Sequence, residues 1–156
     1  MSAAIGVIGA GAWGTALAQV AAAAGHDVRL WARDPALVAA INTGHQNGVY
    51  LGGVTLSPRI RATADLAWVA EASLNLMVTP AQAMRAVLGA LPRNGQPLVL
   101  CSKGIEAGSH LLMSEVAAEL HPGSPIAVLS GPTFAHEVAA GMPTAVTLAA
   151  ADEGLR

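Results

Sequence analysis

The residues with the most specific chemistry lie near the start of the chain. Gly9-Ala10-Gly11-Ala12-Trp13-Gly14 spells G-x-G-x-x-G between a short β-branched run and a long apolar stretch of helix formers. In that setting each glycine has its own reason. Gly9 allows a tight turn, Gly11 has no Cβ to block a pyrophosphate, and Gly14 lets the helix lie close on the strand. The start of that helix offers free N–H groups and a partial positive charge to a phosphate. About 20 residues on, a site for NAD would hold the ribose hydroxyls with an acid. The sequence there reads Trp31-Ala32-Arg33-Asp34. Asp34 before Pro35 is explained as a helix cap. Arg33 is left as a guanidinium able to meet a 2′-phosphate through charge-assisted hydrogen bonds. NADP fits this arrangement and NAD stays open. The plainer reading of Arg33 is a solvated loop arginine.

Two further places carry candidate chemistry. Lys103 is the only lysine among eight basic residues. A lone ammonium next to Gly104 reads as a mobile point charge with room for close approach, or else as a surface lysine. Gly131-Pro132-Thr133 opens a predicted short helix, where Thr133 either caps the helix or meets a phosphate. The remaining reactive types read as structural. His26, His45, His110 and His121 fall in turns or near helix ends with no partner at ligand spacing, so no metal site is expected. Cys101 reads as a small buried hydrophobe, and Trp68 as core.

The elements that must position these groups alternate along the chain. Strands are predicted at 4–8, 27–31, 59–63, 74–78, 97–101, 126–129 and 145–148. Helices are predicted at 12–24, 35–42, 65–72, 80–91 and 109–121, with a short one after Thr133. Thr79-Pro80-Ala81-Gln82 has the form of a capping box with proline at N1. Residues 43–58, with four glycines and Pro58, read as a long loop. Asp152 reads as the cap of a helix that barely begins. Strands that are nearly continuous apolar runs, alternating with helices, are the pattern of a parallel sheet covered on both faces. The expected fold is α/β: a Rossmann-type doubly wound, mostly parallel sheet with helices on both faces, as one domain over 1–156. The motif positions then fall at the carboxyl ends of strands, where such sheets bind ligands.

Composition narrows the classes. At 156 residues and 53% hydrophobic, the chain can bury a sizeable core and is not intrinsically disordered. A net charge of −2 argues against a nucleic-acid binder. A single cysteine excludes a disulfide scaffold. No uncharged apolar run reaches the ~20 residues of a membrane span, and no signal peptide is evident, so no membrane insertion and a cytoplasmic location are expected.

Taken together, the motifs resemble the bacterial NAD(P)-dependent glycerol-3-phosphate dehydrogenase family. The matching segments are Ile8–Ala18, Leu30–Asp34, Tyr50-Leu51-Gly52, Cys101–Glu106 and Ser130–Glu137, in the family's order along nearly the whole chain. The resemblance implies reversible reduction of dihydroxyacetone phosphate to sn-glycerol 3-phosphate, which feeds phospholipid synthesis. By the same resemblance Ala12 and Trp13 contact the cofactor with Gly9, Gly11 and Gly14. Arg33 and Tyr50 lie on its adenosine side, Lys103 touches cofactor and substrate, Gly131 and Thr133 lie by the substrate, and Ala135 by the cofactor. It implies that the proton-transfer lysine belongs to a helical C-terminal domain, so the catalytic residue is unknown here. The chain is expected to be the cofactor domain alone, binding NAD(P)H without turnover, with a homodimer for the full-length enzyme. Two departures stand out: Gly52-Gly53 replaces an expected Pro-Gly, and His136 stands where lysine or arginine is common. The competing expectations are another two-domain dehydrogenase, or a non-catalytic nucleotide-sensing module. The latter has no use for Lys103 or for Gly131–Thr133.

Overall fold

The computed structural model describes residues 3–155. Short runs of Val, Ile and Leu bounded by glycine and proline form the strands of one seven-stranded sheet. In chain order the elements begin with β1 (Ile5–Ile8), α1 (Ala12–Ala23), β2 (Val28–Trp31) and α2 (Pro35–Gly44). There follow β3 (Gln46–Asn47), β4 (Leu51–Thr55), β5 (Ile60–Thr63), α3 (Leu66–Ala70) and β6 (Leu74–Met77). The rest are α4 (Ala81–Ala90), β7 (Leu98–Leu100), α5 (Met113–Leu120), β8 (Ile126–Ser130), α6 (Ala135–Ala139) and β9 (Thr147–Ala150).

The sheet order is β5-β2-β1-β6-β7-β8-β9. All neighbours run parallel except β9, which is antiparallel to β8. The chain builds outward from β1 through β2 to β5, then returns to the other side of β1 to start β6. This reversal opens a crevice beyond the carboxyl ends of β1 and β6.

Strand alternation separates two cores. Val7 and Leu30 point to one face, where they pack with Ala18 and Ala22 of α1 and with Leu37 and Ile41 of α2. Ile8 and Met77 point to the other, against Met84 and Leu88 of α4 and Met113 and Val116 of α5. Helix α1 is buried over Gly14–Ala18 and at Ala22, as its composition requires, while Val20 stays 45% exposed. Ala18 and Ala22 rest on the sheet, and Ala16 meets Leu51, Val138 and Ala139 on the helix's other side.

Caps explain most boundaries. Asp34 Oδ1 accepts from the Ala36 N–H at 2.9 Å, with Pro35 in the first turn. Asp65 accepts from Ala67 and Trp68. Asp152 caps only a 3-10 turn, accepting from Gly154 at 2.7 Å.

Several expectations fail for identifiable reasons. The loop at 43–58 contains the antiparallel hairpin β3–β4. Thr79 caps nothing: it is buried, its carbonyl accepts the Ser102 hydroxyl, and Pro80 is the N-cap residue of α4. Gln82 turns away to bracket the next loop, donating to the Ile105 carbonyl and accepting from the Ala107 N–H, both at 2.9 Å. Helix α5 starts at Met113 rather than 109 because residues 105–112 close on themselves through an Ile105–Leu112 bridge. Thr133 does not cap α6 either, since that helix begins two residues later behind Phe134. The last strand lies at 147–150 and is antiparallel. Trp68 packs against the core as expected but stays half-buried at its edge, with the Arg29 guanidinium 4.6 Å over its ring.

Candidate functional site

The crevice at the β1–β6 reversal is a cleft of about 530 Å³. Its floor is the glycine loop. Gly9 has φ +123°, a left-handed conformation that disfavours side chains, and a Cβ there would come within 2.7 Å of the Val78 carbonyl oxygen. A Cβ on Gly14 would overlap the Gly9 carbonyl oxygen, so the first turn of α1 presses directly on the loop. A Cβ on Gly11 would meet nothing within 4 Å. Gly9 and Gly14 are therefore required by the fold, whereas Gly11 is required by nothing in the protein itself. Gly11 is also the N-cap residue of α1, so the first N–H groups of the helix have no intrahelical acceptor.

Each wall of the cleft comes from a strand end. Beyond β2 stand Ala32 and Arg33, beyond β6 Val78 and Thr79, and beyond β7 Cys101 and Ser102, with Tyr50 reaching in from the hairpin. Trp13 lines the cleft, half-buried. Arg33 is exposed and makes no side-chain hydrogen bond or ion pair among the described residues, so its guanidinium is available to a ligand. Burial pushes the Cys101 thiol up to about 12, which leaves it protonated and inert at neutral pH.

Gly9, Gly11, Ala12, Trp13, Gly14, Arg33 and Tyr50 thus share one cleft. Lys103, Gly131, Thr133 and Ala135 lie outside it. Lys103 and Gly131 meet across adjacent strand ends, Lys103 Nζ donating to the Gly131 carbonyl at 3.5 Å. A Cβ on Gly131 would come within 2.7 Å of the Ala145 carbonyl oxygen, so this glycine also serves packing. The Thr133 hydroxyl is buried and has no hydrogen-bond partner. Such an orphan normally marks a missing partner. Ala135 opens α6 where it crosses α1 and, like Ala12 and Trp13, packs against the cluster of Ala16, Leu51, Val138 and Ala139.

Two supports went unread in the sequence. Asn47 is fully buried and binds the glycine loop. Arg85 grips Glu106 with Nε at 2.8 Å and Nη2 at 2.9 Å, while also holding Glu119. These bonds fix the loop that follows Lys103. Arg85 and the Ser109 hydroxyl hold the Glu106 carboxyl below the usual carboxylate range. The available signal was weak: a carboxylate three residues after a lone lysine, and one charged residue on a mostly apolar helix.

The family described as NAD-dependent glycerol-3-phosphate dehydrogenase N-terminus matches residues 4–156. The chain is 61% identical over 152 residues to the glycerol-3-phosphate dehydrogenase [NAD(P)+] of Parvibaculum lavamentivorans, covering 96% of this chain and 46% of that protein. The protein of the same description from Caulobacter vibrioides is 61% identical over 154 residues, covering 97% and 46%. Among solved structures, glycerol-3-phosphate dehydrogenase from Coxiella burnetii superposes with a TM-score of 0.91 at 35% identity, over 99% of this chain and 48% of that one. The yeast glycerol-3-phosphate dehydrogenase superposes with a TM-score of 0.84 at 28% identity, over 96% and 48%. The chain spans about half the length of the curated relatives it matches.

Proposed function

We propose that this chain, which belongs to the NAD-dependent glycerol-3-phosphate dehydrogenase N-terminal family, is the dinucleotide-holding part of an enzyme. That enzyme passes hydride reversibly between NAD(P)H and dihydroxyacetone phosphate, giving sn-glycerol 3-phosphate. The observation that carries this reading is the vacant surroundings of Gly11 on a helix-capping loop at the sheet's reversal point. A glycine with no steric need inside the protein, beside unpaired helix N–H groups, fits close approach by a pyrophosphate.

In this reading the nicotinamide cofactor supplies the hydride. The chain's own residues bind and orient. N–H groups of Ala12 and Trp13 hold the pyrophosphate, and Arg33 and Tyr50 flank the adenosine. Ala135, at the start of the helix that crosses α1, lies by the cofactor. Lys103, Gly131 and Thr133 lie further along the same sheet edge, toward the nicotinamide end. Lys103 brings a positive charge to a phosphorylated substrate, and the Thr133 hydroxyl gains the partner it lacks. No residue here is assigned the proton transfer. The same reading makes the whole enzyme a cytoplasmic homodimer. No helix among the described residues is long and apolar enough to cross a membrane.

Calorimetric titration with NADH and NADPH tests the reading directly. Saturable binding of one nucleotide per chain, competed by ADP-ribose, is the expected result. Absence of binding by both nucleotides to a folded chain, judged by circular dichroism, overturns it.

A further inference from the structure

The hairpin β3–β4 is too short and too glycine-rich to hold itself. β3 has two residues, and the hairpin stands apart from the main sheet. It is fastened to α1 instead. That helix carries two polar side chains one turn apart, Thr15 and Gln19, and both face the hairpin segment. Gln19 Oε1 accepts from the Ser57 N–H at 2.9 Å and anchors the hairpin's base. The other end is fastened by Asn47. Its Nδ2 donates to the Ala10 carbonyl at 2.9 Å and to Thr15 Oγ1 at 2.7 Å, and its Oδ1 accepts from the Tyr50 N–H at 3.2 Å. The Thr15 hydroxyl in turn donates to the Ala10 carbonyl at 3.4 Å.

Ala10 is the peptide between Gly9 and Gly11, so its carbonyl direction sets how the following N–H groups present themselves. Tyr50 lines the same cleft. Among the described residues, Asn47 is the one side chain hydrogen-bonded to both. A buried carboxamide with three of its four hydrogen-bonding positions filled has a single orientation available. We propose that Asn47 is a positioning residue for dinucleotide binding. It locks the orientation of the Gly9–Gly11 backbone and holds Tyr50 over the cleft, so that loop and lid act as one unit. This rests on the dinucleotide reading of the cleft.

Tyr50 is the only tyrosine in the chain, which makes the inference testable by spectroscopy as well as by affinity. With fluorotyrosine incorporated, a single 19F resonance reports the Tyr50 environment. Asn47→Ala and the isosteric Thr15→Val are each titrated with NADH by calorimetry and followed by 19F resonance. Thermal unfolding is monitored to confirm that they are folded. Loss of this preorganisation predicts a loss of NADH affinity of roughly tenfold for Asn47→Ala. The smaller loss expected for Thr15→Val goes in the same direction. In unliganded Asn47→Ala the resonance moves toward that of free fluorotyrosine, which a purely structural role elsewhere in the fold would not produce. Wild-type affinity and an unmoved resonance in folded Asn47→Ala overturn the proposal. If that variant does not fold, wild-type affinity in Thr15→Val overturns it. Failure of the wild type to bind NADH refutes the dinucleotide reading instead. The unliganded resonance then still decides whether Asn47 holds Tyr50.

Discussion

Single atoms separate the glycines that serve the fold from the one that serves a ligand. Gly14→Ala drives a methyl group into the Gly9 carbonyl. Neither backbone can withdraw easily, so a stability loss of about 1–3 kcal/mol or more is expected, measured by chemical unfolding. Gly11→Ala places its methyl in open space at φ −69°, a conformation alanine adopts freely. Its unfolding midpoint should match wild type while NADH binding falls below detection by calorimetry. Equal effects of the two substitutions on stability would contradict the division of labour. Arg33 offers a second contrast, because its guanidinium has no partner to lose within the described residues. Arg33→Ala should leave the melting temperature unchanged. It should weaken NADPH by roughly 1.5–3 kcal/mol more than NADH, the worth of hydrogen bonds to a charged group. Parallel loss for both nucleotides would show that Arg33 does not read a 2′-phosphate.

At the scale of elements, an ion pair helps to fix the loop between β7 and α5. The Arg85 guanidinium and the Ser109 hydroxyl lower the Glu106 carboxyl's affinity for protons. The folded form therefore binds that proton less readily than the unfolded chain. The stabilisation is fully present above the ordinary glutamate value of about 4.3 and is lost as pH falls through the lowered one. Melting temperature should consequently fall on acidification below that value, and more steeply in wild type than in Glu106→Gln, whose amide does not titrate. Identical slopes would mean that the pair contributes nothing. This clamp and the Asn47 latch were also the parts that the sequence did not disclose. Strands β1, β6 and β7 were readable because their apolar runs have a local pattern. The glycine loop was readable because its reasons are steric and local. Asn47 binds a carbonyl 37 residues away and Arg85 binds a carboxylate 21 residues away. Neither partner leaves a periodic trace. The capping box at Thr79 misled because Gln82 found stronger tertiary partners than the backbone beside it.

The order of the whole sheet explains why a ligand should bind the native state alone. The β2 side of the cleft contributes Arg33, and the β6–β7 side contributes Thr79 and Ser102. These segments come together only when the chain has doubled back past β1. The unfolded chain keeps no fragment of this site beyond the six-residue loop, whose backbone direction itself depends on Asn47 from a separate hairpin. Under those conditions a nucleotide stabilises the fold by mass action. NADH at one hundred times its Kd contributes about 2.7 kcal/mol. At roughly 2–4 °C per kcal/mol for a chain of this size, the melting temperature should rise by about 5–11 °C. The rise should continue logarithmically with further nucleotide, by about half as much again at one thousand times Kd. It should be absent in Gly11→Ala, which folds but cannot admit the pyrophosphate. A shift that stops growing once the site is filled would mean that the unfolded chain also binds. That outcome would place the recognition in the local loop rather than in the assembled sheet edge.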